Sequence, residues 1–494
     1  MKIKKLIKDI PNIQLKGPKE IEITGVCLNS KLVAPGNLFI AKKGRVYNGA
    51  KYIDEAIAAG AVAVATDIYD PFLKDIAQLV HPKIASIEGA LAAHYYQFPS
   101  QELLTAGITG TNGKTTTSFF VKHLLEAYHG PCGLIGTIEY IIGNSRYQAV
   151  RTTPDICSNH KMLREMVYQG CRSAVMEVTS HALDQGRVEH IDFDIAIFTN
   201  LSLDHLDYHK TMENYANAKQ KLFSMLNPSK KKRGIGFPKT AIMNGDSEWT
   251  QHMAKACKGN LMTFGMGEGV DLRAIDIQFS PEGSQFQLLY QGQKIACRSP
   301  LIGQHNIYNF MAAFAVGLVK RIPIQSIVET LAKTPPIPGR LERIPNAHGI
   351  QIFVDFAHTD DALKNVFKCL QDVKQGKLLT VFGCGGERDR SKRPKMAAVA
   401  EQFSDLTIIT TDNPRSEDPE TIAREIMQGF TNKEKYIVEL DRRQAIKMAI
   451  QRAKKGDVIL IAGKGHEPYQ IFAHKTVEFD DRIVAAELCQ TKQG

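Results

Sequence analysis

Apolar residues are grouped along the chain in short runs, each ending in glycine or polar residues. In the first hundred residues the runs IEITGV, NLFIA and AVAVA accompany a helix-like stretch at 51–59, which predicts a small α/β domain. Pro35-Gly36 and Asn48-Gly49 mark turns within it. The pattern then changes. LLTAGIT reads as a buried strand, TNG as a turn, and KTTTSFFVKHLLEAY as a helix with apolar spacing suited to packing on a sheet. SAVMEV and DIAIFTN add buried strands separated by helix-length segments, so the middle of the chain is expected to be a parallel, doubly wound sheet. After the proline-rich TPPIPGRLER a second α/β series follows, with strands IQIFVDF, KLLTVFG, LTIITT and DVILIAG. The expected domains are 1–101, 102–339 and 340–494, with a boundary at Arg340. The basic run at 230–233 reads as a solvated loop.

Composition narrows this picture. A chain of 494 residues with 43% hydrophobic content can bury about three domain cores. The formal charge of +10 favours anionic partners. The nine cysteines are scattered with no CxxC pair, which argues against a disulfide framework or a zinc knuckle. The basic N-terminus is interrupted by charge and Pro11 before any signal-like apolar region, and no apolar run reaches the roughly 18 residues that span a bilayer. The expectation is a soluble protein of the reducing cytoplasm, without membrane insertion.

Chemistry concentrates after the strand ends, where open α/β sheets bind ligands. In GITGTNGKTTT, Gly110 and Gly113 allow the backbone to wrap a phosphate, Lys114 supplies charge, and Thr115 or Thr116 can reach a magnesium ion at the helix N-terminus. The strict GxxxxGK[ST] loop would have glycine at Ile108, so the match is to its shorter GxxGK[ST] core. A divalent cation opposite the phosphates also needs protein ligands. Glu177 ends the SAVMEV strand and His205 follows the DIAIFTN strand, so both can face one crevice.

Together with EVTSHALDQGRV, NLSLDHLDYH, YANAKQKLF, GQHNIYN, PGRLERI, DFAHTDDAL, GCGGERDRSKRPKM, TTDNPRSEDP and AGKGHEPYQ, this loop resembles the Mur ligase family, whose motifs occur in the same order across nearly the whole chain. The resemblance implies a UDP-binding N-terminal domain, a central ATPase domain and a C-terminal Rossmann-like domain that receives an amino acid. It implies that the cytoplasmic stage of bacterial peptidoglycan synthesis uses the chain as an ATP- and magnesium-dependent amide-bond ligase, acting as a monomer on small molecules.

Residue by residue, the resemblance implies that Gly110, Thr111, Asn112, Gly113, Lys114, Thr115 and Thr116 bind ATP phosphates. His305, Asn306 and Asn309 lie near adenine, and Arg340 and Asp355 reach the nucleotide. Lys219, in YANAK, becomes N6-carboxylysine and holds metal with Thr115, Glu177 and His205; on spacing alone it is a surface helix lysine. Thr152, Thr153, Thr179, Gln185 and Arg187 hold a muramoyl dipeptide, and Leu28, Ser30, Arg45, Val46 and Tyr47 the uridine end. There the chain departs from the family pattern, with Asn29-Ser30-Lys31 for the usual DSR and Asn48 for an aspartate, and Arg151 precedes the threonine pair.

The resemblance implies that the incoming amine is read by Asp412, Asn413, Pro414 and Arg415, with Arg388, Gly463 and Glu467 completing the pocket, and in the family DNPR accompanies diaminopimelate ligases. An arginine fork suits a carboxylate and would repel an ammonium. Meso-diaminopimelate carries that extra carboxylate and L-lysine does not, so the expected substrates are UDP-N-acetylmuramoyl-L-alanyl-D-glutamate, ATP and meso-diaminopimelate. The alternatives are L-lysine with the same acceptor, or a folylpolyglutamate synthetase-like ligase, against which DNPR and GKGHE argue. A nucleic-acid protein is disfavoured by 8% aromatics and one tryptophan without basic interleaving. A dinucleotide oxidoreductase is disfavoured by the spacing of Gly383, Gly385 and Gly386.

Overall fold

The computed structural model describes residues 1–43, 48–229, 232 and 234–491. The described chain forms two compact units, Met1–Leu272 with Met311–Ile327, and Arg273–Phe310 with Val328–Gly494. Each contains α/β layers of the kind the apolar runs predict.

In the first unit, Gly25–Cys27, Asn37–Ile40, Ala63–Thr66 and Ala77–Val80 form a parallel run, closed at one edge by antiparallel Gln14–Lys16. Its core joins Leu38, Ile40, Ala63, Ala65 and Leu79 to Leu91 of the Glu88–Tyr95 helix and to Ile156 and Cys157 of the Ile156–Tyr168 helix. This small sheet is therefore packed against a helix of the larger one.

The larger sheet orders its parallel strands as Asn260–Gly265, Thr240–Asn244, Ile195–Phe198, Leu104–Thr109, Ser173–Glu177 and Cys132–Ile135. Glu139–Ile142 and Ser145–Gln148 extend it antiparallel, a feature the apolar runs do not announce. Every residue of Leu104–Thr109, Ser173–Glu177 and Ile195–Phe198 is buried, as expected for parallel strands covered on both faces. Leu104–Thr109 lies between strands reached by connections to opposite sides, so its C-terminal end opens at the switch point of the sheet.

The basic run at 230–233 differs from the solvated loop expected of it. The Lys232 side chain is 2% exposed, and its ammonium donates to Asp194 Oδ2 (2.6 Å), Leu103 O (3.1 Å) and Asp192 O. Lys239 pairs with the same Asp192, so two lysines neutralise two buried aspartates at the N-terminal ends of the central strands. The other three residues of the run lie outside the described residues.

In the second unit, Gln351–Asp355, Val458–Ala462, Leu378–Phe382, Leu406–Ile409 and Tyr436–Val438 form a parallel sheet with Glu342–Ile344 antiparallel at its edge. Two apolar layers cover its faces, one around Leu363, Phe367 and Met396, the other around Ile446, Ile450 and Val484. An antiparallel run of Leu272–Ser280, Gly283–Tyr290 and Gln293–Ser299 is also unannounced by the sequence pattern. Arg442 and Asp481 are both fully buried and pair at 2.7 Å; the same guanidinium donates to Ala462 O (3.0 Å) and Thr411 O (3.4 Å).

The nine cysteines are all free. Burial pushes the Cys297, Cys369 and Cys384 thiols up to about 12 and holds Cys132 and Cys157 well above the usual thiol range. Among the described residues no helix is long and apolar enough to cross a membrane.

Replacing Arg442 by Met leaves the Asp481 carboxylate buried without its counter-charge. The expected loss is about 3–5 kcal/mol, read as a lower urea midpoint of the second unit.

Candidate active site

The phosphate loop turns at the end of Leu104–Thr109 and feeds the Lys114–His129 helix. Gly110 has φ +152°, and a Cβ there would sit 1.9 Å from Thr199 Oγ1. Only glycine permits that approach. The segment after Ile195–Phe198 braces the loop from the other side. Thr111 N donates to Asn200 O (2.9 Å), Asn112 N to Asn200 Oδ1 (3.0 Å), and Thr199 Oγ1 to Asn112 O (2.6 Å). Lys114 reaches back along the loop to donate to Gly110 O (2.9 Å) and Thr111 O (2.8 Å). Its ammonium thus lies over a glycine turn at a helix N-terminus, where anions bind.

Glu177 is fully buried at the end of the neighbouring strand. Its Oε2 accepts from Thr115 Oγ1 (3.0 Å) and Thr137 Oγ1 (2.9 Å), and its Oε1 from Thr137 N (2.8 Å). The carboxylate and the Thr115 hydroxyl form a pair of hard oxygen donors beside the loop, the chemistry a magnesium ion requires. Thr115, rather than Thr116, makes this contact.

Lys219, on the Met212–Ser224 helix, is 1% exposed and donates to Gly110 O at 2.7 Å, with the Tyr215 ring 4.5 Å from its nitrogen. It is therefore no surface lysine. Burial, reinforced by Lys114, holds its ammonium well below the usual lysine range against the pull of Asp204. Burial also lowers His205, with Lys114 and Lys219 adding to the effect and Asp204 opposing it. His205 has φ +54° at the start of Leu206–His209, and its ring lies 5.9 Å from Tyr215. Its neutral imidazole retains a lone pair.

The threonines expected to hold a dipeptide converge on the same carboxylate strand. Thr152 Oγ1 lies 3.1 Å from Thr137 Oγ1, and Thr153 Oγ1 donates to Glu177 O (2.8 Å) and lies 3.3 Å from Thr179 Oγ1. Arg187 donates to Thr153 O (2.9 Å) and to Gln185 Oε1 (2.6 Å). At the small sheet, Leu28 packs on the apolar core and Ser30 Oγ donates to Glu55 Oε2 (3.1 Å). Asn29 and Asn48, two of the departures, each cap a short 3₁₀ turn, accepting from Lys31 N and Ala50 N. An amide oxygen fills that role as an aspartate would. Arg45, Val46 and Tyr47 lie outside the described residues.

In the second unit, the DNPR and GKGHE loops follow the strand ends that Arg442 ties together. Asn413 Nδ2 donates to Glu467 Oε2 (2.8 Å), while Asn413 Oδ1 accepts from Lys464 Nζ (3.1 Å) and Ile471 N (3.1 Å). Asp412 accepts from Asn413 N (2.6 Å). Arg415, at φ +54°, follows Pro414 and donates to Gly386 O (2.7 Å). Gly463 N donates to Asp355 O (3.1 Å). Arg388 is exposed, donating to Glu387 O at 3.5 Å. Asp355 accepts from Leu341 N and Ala357 N; burial raises its pKa against the opposing charge of Arg340, whose guanidinium lies 5.1 Å from the Phe356 ring. Asn306 and Asn309 are buried, their amides donating to Ile302 O and Asn306 Oδ1, and His305 Nδ1 lies 3.4 Å from Cys369 Sγ.

Sequence reasoning missed Thr137, Tyr215 and Lys464. Lys464 and Tyr215 carry a visible signal, a lysine flanked by two glycines after a strand and the first residue of YANAK; Thr137 carries none without the fold.

Family models match along the chain: the Mur ligase family, catalytic domain at residues 22–109, the Mur ligase middle domain at 108–317, and the Mur ligase, glutamate ligase domain at 339–465. Curated relatives include UDP-N-acetylmuramoyl-L-alanyl-D-glutamate--2,6-diaminopimelate ligases. That of Chlamydia pneumoniae is 43% identical and covers 95% of both chains; that of Listeria innocua is 39% identical over all of both. A solved structure bearing that ligase name has a TM-score of 0.72 at 31% identity, covering 99% of each chain.

Burial holds the Lys219 ammonium well below the usual lysine range in the folded chain, whereas the unfolded chain keeps the proton up to about pH 10. The folded state thus binds fewer protons in that window, and stability from this group falls as pH drops below the unfolded value. In CO2-free buffer, Lys219→Met is expected to stabilise the chain at about pH 7, with the gain over wild type shrinking toward about pH 10 in urea titrations.

Proposed function

The chain belongs to the Mur ligase family, and from that premise we propose that it adds meso-diaminopimelate to UDP-N-acetylmuramoyl-L-alanyl-D-glutamate with ATP, in the cytoplasmic assembly of peptidoglycan precursors. The observation that carries the amine specificity is the meeting of two loops in the second unit. There Asn413 bonds the Glu467 carboxylate, and Arg415 stands two residues on. A carboxylate and a guanidinium complement the ammonium and carboxylate that diaminopimelate presents away from its reacting end.

A carboxylate is a poor electrophile, so the D-glutamyl carboxylate first takes the γ-phosphoryl group of ATP, releasing ADP and forming an acyl phosphate. The amine of diaminopimelate then attacks the acyl carbon; the C–O bond to phosphate breaks, and the amine loses a proton as the amide forms. The N-terminus of the Lys114–His129 helix and the Lys114 ammonium offset charge on the phosphates during transfer. Thr115, Glu177, His205 and Lys219 are the residues that would hold magnesium, which when bound neutralises phosphoryl oxygens. Thr152, Thr153, Thr179, Gln185 and Arg187 would orient the dipeptide end of the acceptor. No protein nucleophile is needed.

Lys219 enters this set as a carbamate. Burial favours the neutral form of its amine, which can add CO2, forming an N–C bond and releasing one proton. The product is an anion in place of an uncharged amine, and its remaining N–H can still donate to Gly110 O.

Phosphate release from ATP is the direct test. With the UDP-muramoyl dipeptide, wild type is expected to turn over diaminopimelate about 10–100-fold better than L-lysine, the range of one charged hydrogen-bond pair. Equal turnover of the two amines sinks the reading of Arg415, and none with either sinks the ligase. Lys219→Ala is expected to lose activity and regain part of it with added short-chain carboxylic acids, which replace the missing anion; full activity without them excludes the carbamate.

A further inference from the structure

Glu177 is held by more than the phosphate loop. The strand Cys132–Ile135 runs parallel to Ser173–Glu177 and ends beside it. At Gly136 a Cβ would stand 2.6 Å from Glu177 Oε1, so the backbone passes directly over the carboxylate. The next residue, Thr137, then supplies both its amide N–H (2.8 Å) and its hydroxyl (2.9 Å), one to each oxygen. The remaining donor is the Thr115 hydroxyl.

The Thr137 hydroxyl has one proton, and the carboxylate takes it. Thr152, 3.1 Å away, must then be the donor in their mutual hydrogen bond. The result is a directed chain from Thr152 through Thr137 to Glu177, with Thr115 closing on the same oxygen. It joins the threonines at the dipeptide end to the oxygen pair beside the phosphate loop.

We propose that Thr137 is a positioning residue for magnesium-dependent nucleotide binding, fixing through its hydroxyl the Glu177 oxygen that Thr115 shares. This rests on the ligase reading above. Without the hydroxyl, Oε2 of a fully buried carboxylate keeps only the Thr115 donor, while the Thr137 N–H still holds Oε1. The carboxylate then turns toward Thr115, and the pair no longer presents itself to a cation.

The test is binding of a fluorescent ADP analogue to the full chain as magnesium is raised, in wild type, Thr137→Val and Thr137→Ser. Valine keeps the shape and the N–H and removes the hydroxyl; serine keeps the hydroxyl and removes a methyl. The expected result is about a tenfold rise in the magnesium needed for half-maximal binding in the valine variant, with serine within about twofold of wild type. Should the valine variant fail to fold, Thr137→Ala deletes the same hydroxyl and is read in the same way. A valine variant that matches wild type overturns the proposal, as does a serine variant that loses as much as valine, since packing then explains the effect. If wild type shows no magnesium-dependent ADP binding, the ligase reading fails and takes this inference with it.

Discussion

A carboxylate cut off from water must be surrounded by donors, or its burial costs more than a fold can absorb. Glu177 meets that condition with a loop threonine on one side and a strand-end threonine on the other, and these contacts draw three segments to one point. The Lys114–His129 helix, the 136–137 turn and the Ser173–Glu177 strand are held in register by the needs of one charge. Lys219 completes the arrangement from below by pinning Gly110 through its carbonyl. The polar site is thus part of what joins the central strands.

The second unit solves a similar problem with arginine. Arg442 joins the ends of two strands to Asp481, and Arg393, also fully buried, grips Glu417 and Glu425 while donating to Gly385 O. Each guanidinium spreads several donors in one plane, so it can satisfy a carboxylate and nearby carbonyls together. The DNPR and GERDR loops are consequently tethered at both flanks. Arg415 and Glu467 project from a frame whose rigidity derives from charges other than their own.

Much of this was legible in the sequence, for identifiable reasons. Parallel strands covered on both faces produce unbroken apolar runs, so LLTAGIT, SAVMEV and DIAIFTN announced the central sheet and the loops at its ends. The antiparallel extensions were missed because Ser145–Gln148 is exposed throughout and carries no apolar pattern. Lys232 and Lys219 show the same limit from another side. A lysine's stem can pass through an apolar layer to reach a buried partner, and nothing local in the sequence marks that partner. Thr137 was invisible because its importance lies across the sheet, forty positions from Glu177 in the chain.

The thiols carry a consequence for drug chemistry. Electrophilic warheads react with thiolate, and burial keeps Cys132, Cys157, Cys297, Cys369 and Cys384 protonated far above neutral pH. None of them adjoins the phosphate loop in sequence, and none offers a handle for covalent capture. At these five positions durable inhibition would have to come from reversible ligands, whereas the half-buried Cys27 and Cys257 are the thiols that an electrophile or oxidant would meet first.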